Sequence, residues 1–156
     1  MIMYISHTPV RNDSGSPREA LAVQSGGRDA GSAGGAQDGS AIVTNANGGA
    51  NGSSFSLRIG TTAAFSGGVR QQITVPAGTY QLAVSTKTTG TVSAAQVTVT
   101  DAGGAVRTLT VPAGSAWTVR RPAAFTLAAG TATVAVQAAG TDGYLYVDGL
   151  SLVRAS

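Results

Sequence analysis

The chain has no cysteine and a single histidine, His7, among its 156 residues. Without thiols there is neither a disulfide framework nor a thiolate metal site. One imidazole leaves almost nothing from which to build a Ser-His-Asp triad or a histidine zinc centre. Charged residues are scarce at 11%, and of the three acidic ones beyond residue 39 only Asp142 and Asp148 stand near each other, whereas paired-carboxylate glycosidase chemistry needs two acids across a cleft. The ten basic residues give a net charge of +3, but only Arg120 and Arg121 are adjacent. A nucleic-acid surface clusters Lys and Arg with interleaved aromatics, because neutralising phosphates supplies most of its affinity; that stripe is missing. No apolar run is long enough to span a bilayer, and residues 1–7 lack the basic start and long apolar core of a signal peptide. No glycine-rich phosphate loop opens a helix. These absences predict a protein that is not an enzyme and has no nucleic-acid or membrane partner, staying where it is made unless an assembly carries it outside.

What the chain does have is glycine, 22 residues of it, with many Thr, Ser, Ala and Val, a composition suited to strands and turns. Its length fits one domain around a single core. The most informative stretch is the last one, residues 143–153. Leu145 and Val147 share one face, but beyond Asp148-Gly149 the apolar face passes to Leu150 and Leu152. A two-residue period changes phase only where an extra residue is absorbed, so a β-bulge is predicted at Asp148-Gly149, where glycine accepts a positive φ.

The same alternation predicts strands around Ile42-Val43, over Phe55, Leu57 and Ile59, and over Val69, Gln71, Ile73 and Val75. It continues over Tyr80, Leu82 and Val84, with Gln81, Ser85 and Lys87 outward, and over residues 92–100, with Val97 and Val99 inward. Trp117, Val119, Phe125 and Leu127 fall on inward phases about an edge or bulge at Pro122, and Val134 and Val136 follow. Turns are predicted at 76–78, 101–104, 112–114, 129–130 and 140–143. The expectation is an all-β, antiparallel two-sheet sandwich over residues 40–156.

Residues 1–39 read instead as an extended N-terminal arm. Residues 1–5 suit a short strand, and Ser16-Pro17-Arg18-Glu19 has the form of a capping box opening a short helix that Gly26 ends. From Gln24 to Ala41 no apolar side chain is larger than alanine, too little to offset the entropy of ordering, so flexibility is expected.

In order along the chain stand Asn51-Gly52-Ser53-Ser54-Phe55-Ser56-Leu57-Arg58-Ile59, Pro76-Ala77-Gly78-Thr79-Tyr80, Trp117-Thr118, Phe125-Thr126-Leu127 and Tyr144-Leu145-Tyr146-Val147-Asp148-Gly149-Leu150-Ser151-Leu152. This series resembles the galactose-binding-like jelly-roll carbohydrate-binding modules attached to xylanases and glucanases. The resemblance implies two antiparallel sheets packed face to face, and does not by itself imply a sugar. It also implies that Asp148 helps hold a structural calcium with acidic partners from the first strand; here only Asp29 and Asp38 stand near that place. Calcium takes about six to eight oxygen ligands. The other reading is that Asp148 accepts backbone amides at the bulge. No other cofactor is expected.

Tyr144 and Tyr146 lie on the face opposite Leu145 and Val147. They are candidate ligand-binding residues on an exposed concave sheet, because sugar rings stack on aromatic faces; the competing role is ordinary packing on a sheet. Trp117 and Tyr80 are assigned to the core. Two functions stay open. One is a displayed β-sandwich of a virion, a phage capsid decoration or tail protein made in the host cytoplasm. Its residues 1–39 would grip copies of itself or a capsid or tail scaffold, and its smooth Thr-, Ser-, Gln- and Ala-rich faces suit close packing. The other is a carbohydrate-binding module of a secreted polysaccharide-degrading enzyme. The two merge where a displayed sandwich binds host polysaccharide.

Overall fold

The structure, a computed structural model, describes residues 3–11, 17–25, 36–39, 42–53 and 55–155. These form β1 (Met3–Arg11), β2 (Pro17–Ser25), β3 (Ala36–Gly39), β4 (Ile42–Asn47), β5 (Phe55–Thr61), β6 (Phe65–Val75), β7 (Gly78–Thr100), β8 (Val106–Thr110), β9 (Thr118–Arg120), β10 (Phe125–Leu127) and β11 (Gly130–Arg154), with one 3₁₀ turn at Ala50–Gly52. Every pairing is antiparallel.

Two long strands carry the rest. β7 and β11, 23 and 25 residues long, pair from Tyr80 with Arg154 to Thr100 with Thr133. The other edge of β11 takes β6, β5 and β2 in succession. The other edge of β7 takes β10, β9 and β8. β3 flanks β6, β4 flanks β5 and β1 flanks β2.

Midway, the register of the long pair shifts on both sides of Gly140, opposite Val92 and Thr91. Gly90 there has φ +65°, and a Cβ on Gly143 would lie 2.5 Å from the Thr89 carbonyl oxygen. Backbones this close leave no room for side chains, so the pair can turn a corner here and pass from one layer to the other. The buried phase of β7 changes with it, from Leu82, Val84, Thr86 and Thr88 to Ala95, Val97 and Val99. One layer holds β3, β6, β8 and residues 130–140 of β11 with 92–100 of β7. The second holds β4, β5, β9, β10, β2, β1 and residues 143–154 of β11 with 78–90 of β7. Val69, Val97, Val99, Val134 and Val136 from the first meet Leu57, Ile59, Val84, Leu145 and Leu152 from the second in one core cluster. This is the antiparallel two-sheet sandwich that the alternation predicted, in the jelly-roll form that the resemblance implied.

Other predicted details also hold. The register shifts between Asp148 and Ser151, Gly149 has φ +57°, and Leu145, Val147, Leu150 and Leu152 are all buried. Tyr80 is buried, its hydroxyl donating to the Pro76 carbonyl at 2.7 Å. In the 101–104 turn the Asp101 carboxylate accepts from the amides of Ala128, Ala105 and Gly103, each at 3.0 Å. These bonds, that from Ala128 foremost, hold its pKa below the usual carboxylate range.

Three expectations are corrected. The short helix after Ser16 is strand β2: Pro17–Ser25 pairs with β1, and Val23 and Leu21 register with Leu150 and Leu152. Leu21 and Val23 are two apart, a strand spacing, and the edge of β11 offers a whole ladder against the one turn a cap stabilises. Ser16 and Gly26 lie outside the described residues, as does most of the segment expected to be flexible, of which residues 36–39 pair with β6 as β3. Residues 140–143 are not a turn between strands, because their glycines let the ladder of β11 run through the corner. Finally, Trp117 and Val119 do not point inward. Val119 registers with Ser85 and is 46% exposed, so the odd-numbered positions of β9 join the outward face of β7.

Candidate functional site

That outward face gathers the aromatics. In the second layer Tyr146 stands opposite Arg58 of β5 on one side and Lys87 of β7 on the other. Facing residues of an antiparallel pair share a side of the sheet, so Arg58, Tyr146 and Lys87 form one outward row. Tyr144, two residues earlier, shares this side, while Leu145 and Val147 between and beyond go to the core. Opposite Tyr144 on β5 is Gly60, which adds no side chain beside the ring.

Trp117 closes the row, and β7 holds the loop that carries it. The Val111 amide donates to the Ala95 carbonyl at 2.9 Å and the Thr88 amide to the Gly114 carbonyl at 2.7 Å. The Gly114 amide donates back to Thr88 Oγ1 at 2.9 Å. Beyond Trp117, Thr118 pairs with Thr86, and Arg120 Nε donates to Thr86 Oγ1 at 2.9 Å. Trp117 is therefore placed by bonds on both sides of it.

The rings touch in sequence. Trp117 meets Tyr146 edge-on, with centroids 6.5 Å apart at 74°, and Tyr146 lies 6.3 Å from Tyr144 at 55°. Two cations lie among them. Lys87 Nζ is 4.7 Å from the Tyr146 centroid and 5.2 Å from that of Trp117, and the Arg58 guanidinium carbon is 4.7 Å from that of Tyr144. Contacts of this kind contribute about 0.5–1 kcal/mol each at exposed sites, enough to brace the rings. All five side chains are half-buried. Chemically, this is a braced apolar surface with positive charge between its rings.

The sequence predicted the outward placement of Tyr144, Tyr146 and Lys87 and missed Trp117. The missed signal was the partnership of 118–120 with 84–86: once Thr118 faces Thr86, Trp117 must share the side of Lys87.

Asp148 lies two positions beyond Tyr146, at the bulge. Its Oδ2 accepts from the Ala50 amide at 2.9 Å and its Oδ1 from the Gly149 amide at 2.8 Å. Among the described residues no group of three or more His, Cys, Asp or Glu side chains stands together to hold a metal. Both oxygens of Asp148 thus accept backbone amides, the role at the bulge that the sequence also offered. Asp29 lies outside the described residues. A cavity of about 320 Å³ opens between β8 and β10, lined mainly by Leu82, Leu109, Pro122 and Phe125, with Arg107 its one charged residue. It brings together few polar groups that would orient a ligand.

The fold is that of the carbohydrate-binding-module-type jelly-rolls. A module named TmCBM61, solved in complex with β-1,4-galactotriose, superposes with a TM-score of 0.64 over 76% of this chain and 88% of its own, at 20% identity. The xylan-binding domain of family 22 gives 0.55 over 81% and 90%, also at 20% identity. The enzymatically active domain of bacteriophage CBA120 tailspike protein 4 gives 0.59 over 76% of this chain and 18% of its own, at 18% identity. At such identities the likeness is one of fold. No protein-family model and no curated protein matches the sequence.

Proposed function

We propose that this protein is a non-catalytic polysaccharide-binding β-sandwich, with Trp117, Tyr144 and Tyr146 as the surface on which sugar rings stack. One observation carries this reading: the only tryptophan and two of the four tyrosines of the chain lie together on an outward sheet face. A globular chain with so few aromatics gains most by burying them, and keeping three half-exposed and in contact suits a ligand with an apolar ring face. Affinity electrophoresis in soluble galactan, xylan and polygalacturonate is the test. Tyr144→Ala, Tyr146→Ala and Trp117→Ala are each expected to weaken binding to the retarding glycan about tenfold, by losing one stacking partner, with unchanged circular dichroism. Retardation equal to wild type in all three variants would remove the face from the reading.

The tailspike likeness supports a second, compatible reading, in which the sandwich is displayed on a phage particle and binds host polysaccharide there. On this reading contacts with copies of the chain or a scaffold run through residues 1–39, where β1 lies outermost beside β2. Removing residues 1–11 is then expected to abolish association seen by sedimentation. The alternative setting is a secreted polysaccharide-degrading enzyme carrying the same module.

A further inference from the structure

The chain's ten basic residues are nine arginines and one lysine, Lys87, and that lysine lies between Trp117 and Tyr146. Among the described residues no ion pair or hydrogen bond takes up its ammonium. Tyr146 is thus bracketed by cations in register, Arg58 on β5 and Lys87 on β7. Of the acids whose side chains are described near the row, Asp142 is exposed at the corner two residues before Tyr144, and Asp148, two residues after Tyr146, has both carboxylate oxygens accepting backbone amides. An ammonium held in the gap between rings can donate to a neutral sugar hydroxyl, but its bond to an anionic oxygen is the stronger one. An anionic sugar gains directly. A ring stacked on Trp117 or Tyr144 presents its equatorial substituents sideways, toward Lys87 or Arg58, where a carboxylate meets a cation already partly desolvated by the rings.

Resting on the stacking face proposed above, we infer that the glycan is acidic: a polysaccharide of uronic-acid residues, whose carboxylate pairs with Lys87 while its ring packs on the aromatics. Charge complementarity argues for this occupant, and a lysine, a point charge on a flexible stem, suits a single carboxylate in a variable chain.

The test is isothermal titration with polygalacturonate and with its methyl ester, which share ring and linkage and differ in the charge of the carboxyl group, and with poly-glutamate, which has carboxylates and no sugar. Polygalacturonate is expected to bind more tightly than its methyl ester, and Lys87→Met to erase the preference with a loss of about tenfold, as for a removed charge-assisted hydrogen bond. Lys87→Arg is expected to retain it, and Tyr144→Ala to weaken binding to both sugars. Equal binding of the two sugars overturns the acidic assignment and leaves the stacking face standing. Poly-glutamate binding as tightly as polygalacturonate overturns it too, as mere attraction of a polyanion. Binding of no sugar at all overturns the stacking face itself.

Discussion

Asp148 and Trp117 show how much a single side chain depends on partners far along the sequence. Asp148 bridges the 3₁₀ turn before β5 to the bulge of the last strand, and its bond to the Ala50 amide is buried and spans 98 positions. Asp148→Ala leaves that amide buried without its acceptor, which costs about 1–3 kcal/mol, read as a lowered urea midpoint with an unchanged slope. Asp148→Asn keeps one carbonyl acceptor and is expected to lose less. Millimolar calcium is expected to leave the melting temperature of the wild type unchanged, since a ligand stabilises only by binding the folded state. The sequence offered both roles for this carboxylate, and the approach of Ala50, which fills the one at the bulge, has no local signal. Trp117 was misplaced for a related reason: a three-residue edge strand has too few positions for its own alternation to reveal its phase, which its register with β7 sets.

At the scale of elements, alternation was legible wherever a strand is long and buried on one side. Val69 to Val75, Tyr80 to Val84 and Val97 to Val99 were placed from period two alone, and so was the bulge of β11. What the pattern hid was continuity, because the glycines that mark turns in most chains here carry two ladders around a corner. Two substitutions separate these uses of glycine. At Gly149, φ is +57° but nothing lies within 4 Å of a built Cβ, so Gly149→Ala pays only for the left-handed backbone, about 1 kcal/mol. At Gly143 the Cβ would meet Thr89 O at 2.5 Å and Thr91 N at 2.7 Å. These are main-chain atoms of the neighbouring strand, which yield only if β7 moves away. Gly143→Ala is therefore expected to cost on the order of 3 kcal/mol, with the two denaturant midpoints ordered accordingly. The reverse order would mean that the corner is looser than its contacts suggest.

At the scale of the whole molecule the question is what the first 39 residues do. Read alone, residues 24–41 are too poor in apolar side chains to fold, residues 1–5 suit a short strand, and the capping box pointed to a helix. No local signal shows that β11 has an open edge at Leu150–Val153, which β2 fills. Deleting residues 1–39 removes β1, β2 and β3 together and leaves that edge with unpaired amides and carbonyls, a template for aggregation. The deletion is expected to lower the melting temperature and to aggregate on concentration. Deleting residues 1–11 removes only the strand outside β2, so the melting temperature should fall far less. If the shorter deletion loses association in sedimentation while its melting curve stays near wild type, β1 is the strand that meets neighbours and β2 belongs to the sandwich. If instead the longer deletion stays monomeric and as stable as the full chain, β2 adds nothing to the core and the first 39 residues are the separate arm that composition suggests.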